Sequence, residues 1–365
     1  MLLYSLYGIS ILLGTIANCK KIDKFIRIFL TIFSFLFLWV LLGWSYGAND
    51  VSVAINRYNN YEAYSSFTEY GYTFLIEISH RIGLKYRTFF VICSFFELLV
   101  MYWFSYKNSK KPLLVILLFM IYPMAIYFQY IRNILAFSIV LIGLDFLINK
   151  RKHYIVVYVL CILIGSLIHI DSLFFILYLP FCFMNKKLSI AITIVLFIIL
   201  YYPTLVPVFL EYLEKVLGSK KADIVSDAEL ASGQFGRTFG IVVSLLWFWV
   251  VYFIFKIKKI ELNDWYSNVI FRINLLSILF IPLSLYYGTG FARMPVLLSF
   301  INICFYCTKC FELKFKNDRM LVYSTIILFM FVLLFLNFRN IEYRELVLYP
   351  LFEQNELVSY LLGGD

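Results

Sequence analysis

The chain has 365 residues, of which 62% are apolar, 20% aromatic and only 15% charged. A soluble domain is roughly 45–50% apolar and about 25% charged, so this composition excludes a cytosolic enzyme, a disordered chain and a nucleic-acid-binding module. What remains is an integral membrane protein, whose formal charge of +10 has to be read against topology before it is read as a partner signal.

A hydrocarbon core about 30 Å thick needs about 20 mostly apolar residues per helix. Cutting the chain at its charge clusters predicts about twelve such segments, near residues 2–18, 28–46, 88–106, 112–130, 133–149, 154–170, 172–184, 188–203, 238–255, 266–285, 293–307 and 320–338. The seventh is short and fits half of a hairpin. The start, Met1-Leu2-Leu3-Tyr4, lacks the basic n-region of a cleavable signal peptide, so the first stretch is expected to be retained as a span. Seven cysteines and three histidines are too few and scattered for a disulfide-stapled ectodomain.

Alternate loops carry Lys20, Lys21, Lys24 and Arg27; Lys107, Lys110 and Lys111; Lys150, Arg151 and Lys152; Lys186 and Lys187; Lys256, Lys258 and Lys259; and Lys309, Lys314, Lys316 and Arg319. These loops hold the larger share of the chain's 32 basic residues, which places them on the cytoplasmic side. Both termini are then expected outside. The long segments fall on the outer side, at about 47–87, about 204–237, and a tail at about 339–365. The inner loops are short and contain no Gly-rich phosphate loop, so ATP-driven transport is not expected and any chemistry belongs to the outer face. Residues 1–365 read as a single transmembrane domain.

Positive-inside bias makes an arginine beside the outer end of a span the exception that needs a reason. Arg132, Arg237 and Arg293 each stand at or just before the outer start of an inward-running segment. A helix start presents free N–H groups and the positive end of the macrodipole, and a guanidinium added there makes an anion site. Gly233, Gly236 and Gly240 flank Arg237, and Gly288 and Gly290 precede Arg293. Three such starts suit a diphosphate. The competing account is that these arginines snorkel to headgroups or pair with outer acids such as Asp50, Glu69 and Asp171. Arg272, about two turns into its helix, is expected to snorkel inward.

His169, Asp171 and Ser172 fall where the sixth segment reaches the outer surface. An imidazole beside a carboxylate can take a proton from a hydroxyl; the plainer alternative is a histidine that only caps the helix end. His80 and His153 read as solvated or interfacial. The first outer loop is dense in tyrosine, asparagine and acids, among them Asn49, Asp50, Tyr58, Tyr61, Glu69 and Tyr72. Aromatic faces with amide and carboxylate partners suit a sugar, and an aromatic belt explains the tyrosines but not the acids. Asp50 and Glu69 join His169 as candidate bases. Cys304, Cys307 and Cys310 step around a helix without a fourth ligand and read as free thiols, so no metal is expected. Residues 206–218 read as an amphipathic helix, on the bilayer or over a cavity.

The stretch YFQYIRNILAFSIVLIGLDFLINKRKHYIVVYVLCILIGSLIHIDSLFF resembles the bacterial EpsG/Wzy-type polysaccharide repeat-unit polymerases, in which an arginine opens a helix, a basic inner turn follows, and a histidine ends the next helix. Arg132, Ala136 and His169 carry that likeness. Asn49-Asp50, Tyr58, Tyr61 and Glu69-Tyr70-Gly71-Tyr72 are similar to the family's first outer loop, and Arg293 to its later arginine. Asn133, Asp171 and Met294-Pro295 depart from the family's usual glutamine, serine and aromatic pair. The resemblance implies a multi-pass, GT-C-like glycosyltransferase of the bacterial plasma membrane that needs no nucleotide sugar and no cofactor. Its substrates would be undecaprenyl-diphosphate-linked oligosaccharides, joined for capsule, O-antigen or exopolysaccharide. Arg132, Arg237 and Arg293 would hold the diphosphate, and Asn49, Tyr58, Tyr61, Tyr72 and Asp171 the sugar. A flippase and a chain-length regulator are the protein partners it suggests, besides membrane lipids. The rival classes are a lipid-linked oligosaccharide flippase, which needs a cationic cavity reaching both leaflets, and a glycan ligase using the same carrier.

Overall fold

A computed structural model describes residues 2–17, 23–45, 51–64, 69–127, 130–202, 234–287, 289–339, 341 and 344–361. It is 86% helical with no strands among the described residues, as expected of an all-α polytopic membrane protein. The first eleven helices are α1 (Leu2–Ala17), α2 (Lys24–Gly43), α3 (Val51–Asn59), α4 (Tyr70–Arg81), α5 (Tyr86–Asn108), α6 (Pro112–Ile121), α7 (Met124–Tyr127), α8 (Ile131–Ile148), α9 (Tyr154–Ile168), α10 (Tyr178–Phe183) and α11 (Lys186–Tyr201). Helices Gln234–Ile257, Trp265–Ser277, Phe280–Tyr287, Thr289–Glu312 and Lys316–Phe338 follow. Most described residues of each expected apolar stretch are helical. Among those residues, seven helical segments are long and apolar enough to cross a membrane: α2, α5, α8, Gly240–Ile257, Trp265–Leu285, Arg293–Glu312 and Lys316–Phe338.

Local chemistry sets the boundaries. Asp23 caps α2 by accepting from the Phe25 N–H at 3.1 Å, and Asn185 caps α11 by accepting from the Leu188 N–H at 2.7 Å. Pro112 opens α6 in its first turn, where no N–H is missed, and Pro123 stops it, with Tyr122 held extended before the ring. The stretch expected as one span at 112–130 is therefore two helices. The 47–87 segment also differs from a plain loop, because α3, a 3₁₀ turn at Tyr61–Tyr64 and α4 occupy much of it. Tyr72, Ile76 and Ser79 form the buried face of α4, one turn apart as an amphipathic helix requires. Residues 206–218 lie outside the described residues.

Two compact units divide the chain: residues 1–173, 303–312 and 330–365 form one, and 174–302 with 313–329 the other. In the first, α8 and α9 make an antiparallel hairpin about a turn containing Lys150, Arg151 and Lys152, with Lys150 and His153 in left-handed backbone. The two helices approach so closely that a Cβ on Gly143 would sit 2.7 Å from Cys161 Cβ and 3.1 Å from Tyr158 Cα. At the turn end, the fully buried Asp145 accepts from Asn108 Nδ2 at 2.9 Å and Asn149 Nδ2 at 3.0 Å, and pairs with Arg151 Nη2 at 2.8 Å. A charge buried in this way is tolerated because a guanidinium pairs with one oxygen and two amides donate to the other. The chain's last described segment, 344–361, is tied to the other end of this unit. Asn355 Nδ2 donates to Val40 O at 2.9 Å, the Glu356 N–H to Trp44 O at 2.9 Å, and Arg87 Nε pairs with Glu356 Oε2 at 2.5 Å.

In the second unit, Asn274 and Asn302 exchange amide hydrogen bonds of 2.8 Å in each direction while almost fully buried, the kind of interhelical link that replaces the hydrophobic drive inside a bilayer. Arg272 reaches toward the inner end of its helix, as expected of a snorkelling side chain, and is buried there, donating through Nη2 to Met184 O at 2.5 Å and through Nη1 to Asn268 O at 3.3 Å. The carbonyls that end a helix lack intrahelical partners, and the one after α10 is near enough to hold the guanidinium inside.

Gly143→Leu is expected to lower the thermal midpoint of the detergent-solubilised protein, since overpacking a tight helix contact costs roughly 1–3 kcal/mol. An unshifted midpoint by tryptophan fluorescence contradicts the close α8–α9 approach.

Candidate functional site

The hairpin's open end brings Arg132 and His169 together by construction. Arg132 is the second residue of α8, and His169 is the residue after the last turn of α9, its N–H bonded to Gly165 O at 2.8 Å. Beneath them lies an apolar cluster of Tyr58, Tyr72, Ile76, Phe89, Cys93, Leu135, Ala136 and Ile168, contributed by α3, α4, α5, α8 and α9. Helix α4 reaches the end of α9 because Gly71 offers no side chain there; a Cβ at Gly71 would stand 2.9 Å from Leu167 Cβ and 3.0 Å from its carbonyl.

That approach sets Glu69, the residue before α4, at the centre. Its carboxylate is 3% exposed as a residue. Oε2 accepts from Arg57 Nη1 at 2.5 Å and from Arg132 Nη1 at 2.6 Å, and Oε1 lies 3.9 Å from His169 Nε2. Both guanidiniums stand over the Tyr72 ring, Arg57 at 5.3 Å and Arg132 at 6.0 Å from its centroid, in cation–π range. Burial pushes the Tyr72 phenol above its ordinary value, while the two arginines pull the other way. Arg57 is nearly closed off, whereas the Arg132 side chain is 30% exposed, so Arg132 is the guanidinium a ligand meets first.

His169 faces a second carboxylate. Its Nδ1 is 3.4 Å from Asp171 Oδ2 and 3.3 Å from the Asp171 N–H, and Asn133 Nδ2 donates to the same Oδ2 at 3.1 Å. Two tautomers fit. With the proton on Nδ1, it points to Asp171 and Nε2 is a base; with Nδ1 accepting from the amide, Nε2 is a donor.

The expected site residues thus fall into separate groups. Arg132, Glu69, Tyr72, His169 and Asp171 share one place. Pairing of Arg132 with an outer acid, the competing account of the outer arginines, is realised through Glu69. Tyr58 is buried, donating its hydroxyl to Leu84 O at 2.7 Å, and its ring stacks on His80, as does that of Tyr61. His80 is half-buried and stacks on both tyrosines, with Nε2 2.8 Å from Tyr58 O; a solvated or interfacial side chain was expected. Asn49 and Asp50 lie outside the described residues, as does the side chain of Arg237, whose helix starts at Gln234. Arg293 belongs to the second unit; its helix starts at Thr289, so it sits in the second turn, beyond the free N–H groups expected to flank it. Cys304, Cys307 and Cys310 are buried free thiols.

Arg57 is the residue that sequence reasoning missed. The available signal was the rule already applied to the spans: an arginine on the expected outer side needs a reason, and Arg57 stands twelve positions before Glu69 in the segment dense with acids.

The family model described as EpsG family matches residues 28–351. No curated protein and no solved structure matches the chain.

Breaking the buried pair has a calculable sign. Glu69→Ala leaves the buried Arg57 uncompensated and is expected to lower stability by about 3–5 kcal/mol. Glu77→Ala removes the exposed partner of Arg81 and should cost about 0–1 kcal/mol. Equal losses in parallel melts contradict the buried-pair geometry.

Proposed function

The chain belongs to the EpsG family, a family of Wzy-type polymerases, and from that membership we propose that it polymerises lipid-linked oligosaccharide repeat units at the outer face of the bacterial plasma membrane. The donor is a growing glycan on undecaprenyl diphosphate, and the acceptor is the terminal sugar of an incoming lipid-linked unit. The observation that carries this reading is the cluster at the open end of the α8–α9 hairpin, where the partly exposed Arg132, held by buried Glu69, adjoins the His169–Asp171 pair. The opposite end of the same hairpin is the basic turn of Lys150, Arg151 and Lys152, which the positive-inside rule assigns to the cytoplasm. The cluster is therefore on the outer side, where the diphosphates of flipped carriers lie. With twelve crossings of this parity, both termini face outward.

In this reaction the acceptor hydroxyl attacks the anomeric carbon, the bond from that carbon to the diphosphate oxygen breaks, and the diphosphate leaves with the electron pair. Arg132 meets the charge that develops on the leaving oxygens, an electrostatic term that usually contributes most. His169 Nε2 takes the hydroxyl proton, with Asp171 orienting Nδ1–H and stabilising the imidazolium. Glu69 remains a candidate base by position, but its Oε2 is committed to two guanidinium donors, so His169 is the better assignment. Asp50 keeps its candidacy from sequence, as do Arg237 and Arg293 for lipid-linked phosphate. Tyr61 and Asp171 supply surface for sugar, Asn49 keeps its candidacy from sequence, and buried Tyr58 and Tyr72 form the packing beneath. A flippase needs cationic groups toward both leaflets, whereas this cluster gathers at one end. The reaction as written needs neither metal nor cofactor.

Purified protein reconstituted with lipid-linked repeat units alone is expected to yield a ladder of polymer. Arg132→Ala should abolish the ladder and leave single units on the outer leaflet in cells; accumulation on the inner leaflet points to a flippase instead. Transfer only to an unrelated acceptor identifies a ligase. His169→Ala should reduce turnover by about 10²–10⁴-fold with donor binding retained, and full activity removes His169 from the base role.

A further inference from the structure

Arg57 lies deeper in the cluster than Arg132 and is only 9% exposed. Its Nη1 is used by Glu69, but Nε and Nη2 are buried with no hydrogen-bond partner among the described residues. Leaving donors of a buried guanidinium unmade is costly, and the arrangement around it explains what they are kept for. One carboxylate, Glu69, serves two guanidiniums through a single oxygen. Asp171 bonds Asn133 and faces His169, so among the described residues Glu69 is the carboxylate paired with both guanidiniums. The buried Tyr72 ring lies within cation–π range of both guanidiniums. A guanidinium fork with an unused edge matches two oxygens of a phosphate group.

We infer that Arg57 and Arg132 together form a phosphate-class oxyanion site in which Arg57 is the inner ligand and Glu69 the internal counter-ion that occupies the pair until the oxyanion arrives. The identity of the ligand as the carrier's diphosphate rests on the proposed function; an anionic phospholipid headgroup offers the same chemistry. On this arrangement the ligand reaches Arg132 through its exposed side, engages the Nε–Nη2 edge of Arg57 and takes over from Glu69 as counter-ion of the pair.

The full chain in phosphatidylcholine nanodiscs can be titrated with sugar-free polyprenyl diphosphate and with polyprenyl alcohol of equal length. The wild type should prefer the diphosphate. Arg57→Gln should weaken diphosphate binding roughly ten- to hundredfold, the range for losing a hydrogen bond to a charged group, and leave alcohol binding unchanged. Arg57→Lys, which keeps the charge but not the fork, should fall between. Glu69→Gln should bind the diphosphate more tightly than wild type and regain thermal stability when it is added, an outcome that a purely structural role for these residues does not produce. Nanodiscs made equimolar in phosphatidylglycerol separate the sources. Loss of the diphosphate preference there, dependent on Arg57, supports the oxyanion site and names the headgroup as its occupant; persistence supports it and names the carrier. A folded Arg57→Gln protein with wild-type diphosphate affinity overturns this inference alone. Should that variant fail to fold, weakened binding by Glu69→Gln overturns it equally. A wild type that prefers neither ligand overturns the site and the proposed donor together.

Discussion

One carboxylate shared by two guanidiniums organises the open end of the α8–α9 hairpin. Glu69 is almost wholly removed from solvent, and a lone carboxylate there would be strongly disfavoured. Arg57 and Arg132 make it tolerable, and it in turn makes the buried Arg57 tolerable. Three stretches far apart in sequence, α3, the start of α4 and the start of α8, are pinned to one point by these bonds. His169, at the end of α9, completes the group because α4 packs against α9 through Gly71.

The same hairpin separates two uses of buried charge. At its turn end, Asp145 takes two amide hydrogen bonds on Oδ1 and pairs through Oδ2 with Arg151, which fixes the helices against each other. At its open end, Arg57 Nε and Nη2 have no hydrogen-bond partner among the described residues, and part of Arg132 reaches the surface. The turn end is wholly buried at Asp145, whereas the open end offers a partly exposed guanidinium. Under the proposed function that difference places rigidity in the cytoplasmic half and chemistry in the outer half. The apolar cluster from Tyr58 to Ile168 gives the open end a packed floor, so the arginines are positioned by helices and not by loops alone.

Much of this was legible in the sequence. Apolar length marked the helices, and the hairpin's two ends followed from an arginine that opens one segment and a histidine that closes the next. The helices within 47–87 were obscured because tyrosines, asparagines and charges dilute the apolar pattern, although Tyr72, Ile76 and Ser79 keep a helical spacing. Arg57 was hidden for a different reason: its partner Glu69 belongs to another element, and only tertiary packing brings them together. Arg272 reaches inward as a charge near a helix end does, but the carbonyl that holds it, that of Met184, belongs to another helix end and was not legible in the sequence. The helix holding Arg293 begins a turn earlier than its glycines suggested, since glycine weakens a helix without preventing its start.

The central claim is that Arg57, Glu69, Arg132 and His169 form one group that receives the carrier's phosphates. A cryo-electron microscopy structure of the protein in nanodiscs with polyprenyl diphosphate tests it most directly. The account predicts density for the phosphates within hydrogen-bond distance of both arginines, with His169 alongside. Phosphate density lodged elsewhere, with these side chains turned away from one another, contradicts it.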